Sequence, residues 1–307
     1  MSSTTKQSAF SERQVSLAIV LVLVAVGIVA AATTWWRSTS VDPTRVFWGA
    51  VANSMTTPGV TVSESATSSG ATTAQVNQFD FGPEERAQTI TTFTEGPAEV
   101  RTLELSTPTA DFTKYLAISV GSADKIPSSE LKPVLNVWGN TTSTTKSKDT
   151  NVPSTFGTVL LELALPFGNF SPTQEAALMN QAQTQQVYTP AISSVQKKTV
   201  HGRLQYTYSV TMQPILYVQL MKTYAQDSGL HELDSVNPNE YASASATTMQ
   251  WVVDARSRQV MQVSYDGHTE SYSGYGLRIS TATPTAKQVI TGAALQSRVN
   301  TLNAAIK

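Results

Sequence analysis

The residues able to do chemistry are few and scattered. The 307-residue chain has no cysteine and three histidines. That removes thiolate nucleophiles, thiolate metal sites, disulfides and lipidated cysteines together. His201 and His268 fall in predicted hairpin turns. His231 follows a predicted helix end, where the dipole favours a cation. All three read as solvated surface residues rather than metal ligands. No G-x-S-x-G elbow, H-E-x-x-H pair or glycine-rich phosphate loop occurs. The S-x-x-K spacing recurs along the chain, as at Ser3–Lys6, Ser143–Lys146 and Ser194–Lys197, with no K-T-G to follow it. In so serine-rich a chain these are chance spacings. Asp234, Asn237, Asn239 and Glu240 resemble a calcium loop only loosely, because the central glycine and the alternating spacing are missing. A loop closed by Asn237-Pro238 accounts for them better. The chain is therefore read as a non-enzyme that needs no cofactor and no metal.

Composition narrows the partners. Only 14% of residues are charged and the net charge is −1, so no field attracts nucleic acid. Serine and threonine number 76, suiting strands with one wet face. The first 14 residues are polar. Val15 to Ala32 then runs without a charge, and extension to Trp35-Trp36 gives about 33 Å of helix, enough for a hydrocarbon core of ~30 Å. The tryptophan pair suits an interfacial belt, closed by Arg37. Residues 1–14 are expected as a cytoplasmic tail, Val15–Trp36 as a single-pass anchor, 37–41 as a linker and 42–307 as an extracytoplasmic domain. The alternative is a signal peptide cut near Ala32, releasing a secreted protein.

The elements that follow are mostly strands. Asp42-Pro43 opens a helix, with Val46, Phe47, Ala50, Val51 and Met55 at helical spacing until Thr57-Pro58-Gly59. Strands are predicted around Val60–Ala66, Ala74–Phe81, Arg86–Thr94, Val100–Leu105, Phe112–Val120 and Val134–Trp138. Asn140–Thr150 is a low-complexity loop. Phe156–Leu165 is apolar and fits strand or helix. Ser171-Pro172 caps a helix, and Gly168 with the loop before it suggests a mobile insertion. Val195–Val200 and Leu204–Met212 form a hairpin, and Pro214 opens a helix that Gly229 ends. Strands follow at Thr248–Val253, Gln259–Tyr265 and Thr269–Ser273, with one more expected at Leu277–Thr281. Val289–Ala305 reads as a terminal helix. The sum is α+β: a curved antiparallel sheet, or half-barrel, wrapping a few amphipathic helices.

Two helix faces remain to be placed. Phe47, Val51 and Met55 share one, and Tyr217, Leu220, Met221 and Tyr224 share the other. They either fill a core against the sheet or line an apolar ligand cavity.

The stretch MQWVVDARSRQVMQVSYDGHTESYSGYGLRI carries a resemblance. Trp251 and Asp254 at a strand-ending turn, the return strand Val260–Tyr265, and Tyr275-Gly276 before Pro284 resemble the close of the lipoprotein-localisation-factor (LolA-like) superfamily, especially its LppX/LprG branch. The hairpin at His201 running into LQYTYSVTMQPILYVQLM is similar to that family's tyrosine-bearing strand entering a helix. The resemblance covers most of Asp42–Pro284. It implies a half-barrel with an apolar cavity that binds lipids or the acyl chains of lipoproteins, and a role in lipid or lipoprotein transport across the cell envelope. The cavity lining would then be Phe47, Val51, Met55, Tyr217, Leu220, Met221 and Tyr224. That branch is anchored by a lipidated cysteine, which this chain lacks. Val15–Trp36 would stand in its place. The alternative function is a non-catalytic envelope sensor or protein-interaction module whose half-barrel is filled.

Overall fold

The structure is a computed structural model that describes residues 41–121, 126–142 and 155–306. The tail, the Val15–Trp36 segment, most of the 37–41 linker and nearly all of the low-complexity stretch lie outside the described residues. Among the described residues, no helix is long and apolar enough to cross a membrane.

Helix α1, Pro43–Met55, turns Val46, Phe47, Ala50, Val51, Ser54 and Met55 inward. Proline at its first position costs nothing, since that N–H lacks an intrahelical partner anyway. Five long strands follow as a meander: β1 (Gly59–Ser68), β2 (Ala71–Asp80), β3 (Arg86–Glu95), β4 (Ala98–Thr107) and β5 (Ala110–Ser119). The short α2 (Ser128–Leu131) leads to β6 (Trp138–Asn140). The expected strand at Val134–Trp138 therefore begins only at its last residue. Val134 instead donates its N–H back to Leu131 in a tight turn and is buried beside Val299 and Leu302.

Helix α3, Thr155–Leu161, answers the strand-or-helix ambiguity for the first half of Phe156–Leu165. The second half is neither, and Leu163 to Gly168 are all buried. The expected mobile insertion is thus an interior segment. Helix α4, Pro172–Thr184, starts with the capping box its sequence promised, Ser171 and Gln174 exchanging hydrogen bonds. Then come β7 (Tyr188–Pro190), β8 (Gln196–Val200), β9 (Arg203–Met212), helix α5 (Pro214–Asp227), β10 (Thr247–Asp254), β11 (Gln259–Tyr265) and β12 (His268–Ser273). No strand forms at Leu277–Thr281. The terminal helix is α6, Gly292–Ile306, and its expected first turn is instead the short strand β13 (Val289–Thr291).

All thirteen strands join one sheet in the order β13-β6-β5-β4-β3-β2-β1-β12-β11-β10-β9-β7, with β8 also on β9. It is curved and unclosed, the open architecture of a half-barrel. Pairing is antiparallel except β13 with β6. The first and last strand groups meet at Val62 opposite Tyr272. Because β12 pairs with β1 while β13 lies at the far edge, residues 274–288 must cross the strands between. They pass so close to β1 that a β-carbon on Gly59 would sit 2.1 Å from the Leu277 carbonyl oxygen. Arg278 donates to Asp80 at 2.7 Å and Arg86 to the Thr281 carbonyl at 3.1 Å. Ile279 drops onto Leu103 and Leu105.

Helix α1 packs on β10 and β11, α4 on α1 and α5, and α3 on β4. The side of the sheet that meets α1 is the inner face.

Candidate functional site

Directly opposite residues in a sheet share a face. The register therefore carries the inner face from Tyr208 to Trp251, Val263 and Glu270. Alternation puts Tyr272 there with Glu270. Phe47 from α1 sits on this row, its ring 5.2 Å from Trp251 and 5.3 Å from Tyr208. Tyr188 meets Trp251 at 5.2 Å from the other side.

The segment between α3 and α4 threads the interior. The Tyr217 hydroxyl donates to the Leu163 carbonyl at 2.7 Å, Tyr188 to that of Ala164 at 3.1 Å, and Tyr224 to that of Phe167 at 2.5 Å. The Ser54 hydroxyl lies between two carbonyls, Val51 at 2.7 Å and Pro166 at 2.9 Å, and its one proton is shared between them. Burial pushes the phenols of Tyr188, Tyr217 and Tyr224 above their ordinary pKa, so they stay protonated donors.

A buried carboxylate lies at the end of the row. Glu270 is 2% exposed. It accepts from the Tyr272 hydroxyl, from Tyr265 at 3.1 Å and from the Ala164 N–H at 3.3 Å. Burying such a polar group is tolerated only where hydrogen-bond partners compensate its lost hydration. His268 places Nε2 3.2 Å from Glu64 and 3.7 Å from Glu270. Burial pushes the Glu64 carboxyl up; His268 opposes that, while Glu270 and Glu162 reinforce it. His268, partly exposed beside the turn, is tied to carboxylates. His231 is tied to Asp234 at 2.9 Å. Asn237 caps a short 3₁₀ turn by accepting from Asn239, which is the loop role its sequence suggested. Among the described residues, no group of three His, Asp or Glu is placed to hold a metal.

A cleft of about 210 Å³ opens beside this segment. Phe81, Phe156, Leu160, Phe167, Phe170 and Tyr224 form its apolar wall, and Glu85, Asn169, Gln174, Asp227 and Ser228 its polar remainder. Phe167 stacks on Tyr272 at 5.3 Å, and Phe170 meets Tyr224 edge-on at 5.5 Å. The volume is below the ~300 Å³ where ligand pockets usually begin.

Of the seven residues proposed from sequence, Tyr224 borders this cleft. Phe47, Val51, Met55 and Leu220 are fully buried and Met221 almost so. Tyr217 is half-buried with its hydroxyl on the Leu163 carbonyl. The helix–sheet interior they share is packed. Sequence reasoning missed Phe156 and Leu160, which lie in the stretch of ambiguous type, and Phe167 and Phe170, which lie in or beside the expected mobile insertion. It also missed Glu270, although alternation with Tyr272 along β12 was a signal for its inward aim.

No family model matches the chain, and no curated protein matches its sequence. Among solved structures it is similar to the crystal structure of LprF from Mycobacterium bovis. The match has 10% identity and a TM-score of 0.39, and it covers 79% of this chain and 96% of that one.

Proposed function

We propose that this is a non-catalytic binding protein that takes an apolar chain, the acyl group of a lipid or acylated ligand, end-on into the aromatic cleft. The observation that carries the reading is the cleft's composition: Phe81, Phe156, Leu160, Phe167, Phe170 and Tyr224 beneath a polar rim. Burying hydrocarbon there yields ~25 cal/mol per Å², and the rim leaves a head group in water. The sequence resemblance to the LppX/LprG branch supports the same ligand class. In this reading Val15–Trp36 holds the protein at the membrane with its body outside, and the protein carries lipid or lipoprotein within the envelope.

The test is native mass spectrometry and fluorescent fatty-acid uptake on the full chain. Co-purifying acyl ligand is expected in the wild type and its loss in Leu160→Trp, which fills the cleft. Neither lipid nor uptake in the wild type would sink the reading.

A second reading has one observation in its favour. The helix–sheet interior is packed by Phe47, Val51, Met55, Leu220 and Tyr224, as a filled half-barrel acting as sensor or interaction module requires. Failure of acyl binding, with cross-linking to an envelope protein in intact cells, would select it.

A further inference from the structure

Connecting segments run over protein surfaces, because a buried one must find partners for every backbone polar group. Leu163 to Gly168 break that rule: six consecutive residues are buried with no helix or strand among them. Their backbone is satisfied piecemeal. Tyr217, Tyr188 and Tyr224 each donate to one carbonyl, and Ser54 shares its single hydroxyl proton between the Pro166 carbonyl and that of Val51 in its own helix. The Ala164 N–H goes to Glu270, and the Gly168 N–H to the Ser54 carbonyl at 3.1 Å. A strand in this place would be held by a cooperative ladder. This segment is held largely by side-chain hydroxyls and a carboxylate from α1, α5, β7 and β12, each of which can pair again with water or another molecule.

The segment is also apolar. Leu165 and Phe167 are fully buried and Leu163 is 4% exposed. Phe167 is at once its last apolar residue and a wall of the cleft. A chain end entering the cleft therefore meets this segment. Beyond it lies the Phe47–Trp251–Tyr188 group. There the indole N–H of Trp251, itself 0% exposed, has no hydrogen-bond partner among the described residues. Such an orphan donor carries a desolvation cost in the arrangement seen here.

We propose that Leu163–Phe167 is an intramolecular plug, occupying the interior that an acyl chain takes, and that a chain entering through the cleft displaces it. The proposal rests on the acyl-binding reading and adds how that site is regulated. Exchanging one apolar chain for another leaves the buried area nearly unchanged, so the tyrosine, serine and glutamate ties decide which of the two is inside. The plug lowers apparent affinity by the fraction of molecules that are unplugged, and weakening its ties raises that fraction.

The experiment uses the full chain in phosphatidylcholine nanodiscs and a C16 fatty acid bearing a diazirine. Cross-links are mapped by mass spectrometry, and amide exchange is followed at Ala164 and Gly168. Cross-links at Phe47 and Leu220 as well as Phe170 are expected, with faster exchange at both amides when probe is added. The double variant Tyr217→Phe with Tyr224→Phe, which keeps both rings, should lower the half-saturating probe concentration by about tenfold, from the loss of two hydrogen bonds. Ser54→Ala should shift it the same way by less, and serves if the double variant does not fold. Cross-links confined to Phe156–Phe170 with unchanged exchange would overturn the plug and leave the cleft reading standing. Interior cross-links with no change of affinity in any variant would also overturn it. No cross-link in the wild type or the variants would overturn the acyl-binding reading, and the plug with it.

Discussion

The two halves of the sheet meet at the β1–β12 pair and fill their inner face with different mixtures of residues. In β9–β12 that face carries Tyr206, Tyr208, Val210, Trp251, Val253, Val260 and Val263, all fully buried. In β1–β5 the face is mixed: Val60, Val62, Phe79 and Ala87 are buried on it, and the register also carries it to Asn77, Thr89, Glu104, Ser106 and Asp111. The apolar residues Leu103, Leu105 and Phe112 point to the other side, where Ile279 of the crossing loop covers the two leucines. One half is thus fixed by side-chain packing against helices. The other has a smaller apolar patch, with α3 on β4, and relies besides on its hydrogen-bond ladder, on buried polar pairs such as Thr89 with Asn77 at 2.8 Å, and on the clamp of Arg86 and Arg278 on Asp80. The strands β1 to β4 also run on past the body. Residues Ser65 to Ser68 at their shared end are exposed, and no helix needs to cover them because every second residue is small and polar.

This difference predicts an order of mutational cost. Trp251→Ala should be the most damaging, losing ~3–5 kcal/mol in a denaturant titration, since it opens a cavity against Phe47 and Tyr188. Leu103→Ala should cost less, because the loop above it can settle into the space. Equal losses would break the contrast. Next comes Asp80→Asn, at about 2 kcal/mol, for leaving Arg86 with a weakened buried partner. Burial alone would push the Asp80 carboxyl up, but the hydrogen bonds from Arg278, the Gly82 N–H and Arg86 outweigh it and hold the group below its ordinary value of 3.8. The ionised form is therefore favoured by folding. The stability it supplies is complete above 3.8 and is lost as pH falls below that value. Asp80→Asn should remove this part of the acid sensitivity, seen as a flatter melting temperature between about pH 4 and 2.

How much of this was legible in the sequence follows the same divide. Hairpins bounded by Ser69-Gly70, His201-Gly202 and Asp266-Gly267 could be read because their turns need positive φ, which the backbone adopts at each pair. The helices of Pro43, Pro172 and Pro214 were readable from their first turns. The facing of α1 onto the sheet was readable from helical spacing, and so was the buried face of α5, although that face meets α4 and the Leu163–Gly168 segment. The Leu163–Gly168 segment was not. An apolar run looks alike whether it becomes strand, helix or buried loop, and what decides here is four hydroxyls distant in sequence. The same holds for Leu277–Thr281, whose apolar spacing suggested a strand. It crosses the outer face of other strands, so it has no free edge to pair with. Strand β13 was hidden inside a helical pattern because only the far edge of the sheet calls it out.

Two smaller effects sharpen the contrast. Burial, reinforced by the Asp111 charge, raises the Glu104 carboxyl above its ordinary value of 4.5, and burial raises Asp111 against the hydroxyls of Ser106 and Thr155. For a raised carboxyl the folded state holds its proton longer than the unfolded chain. Stability from Glu104 is then present below 4.5 and declines as pH rises through its folded value, opposite in sense to Asp80. Glu104→Gln should remove that decline, by less than the Asp80 effect because Glu104 is only partly shielded from water. The smallest change is expected at Phe93, on the inner-facing side of β3 but beyond the helices and 39% exposed. Phe93→Ser should move stability by no more than ~0.5 kcal/mol. A loss as large as that of a core phenylalanine would mean that the projecting ends of β1 to β4 are packed against something in solution, and the division between a packed half and a laddered half would then stop short of the strand tips.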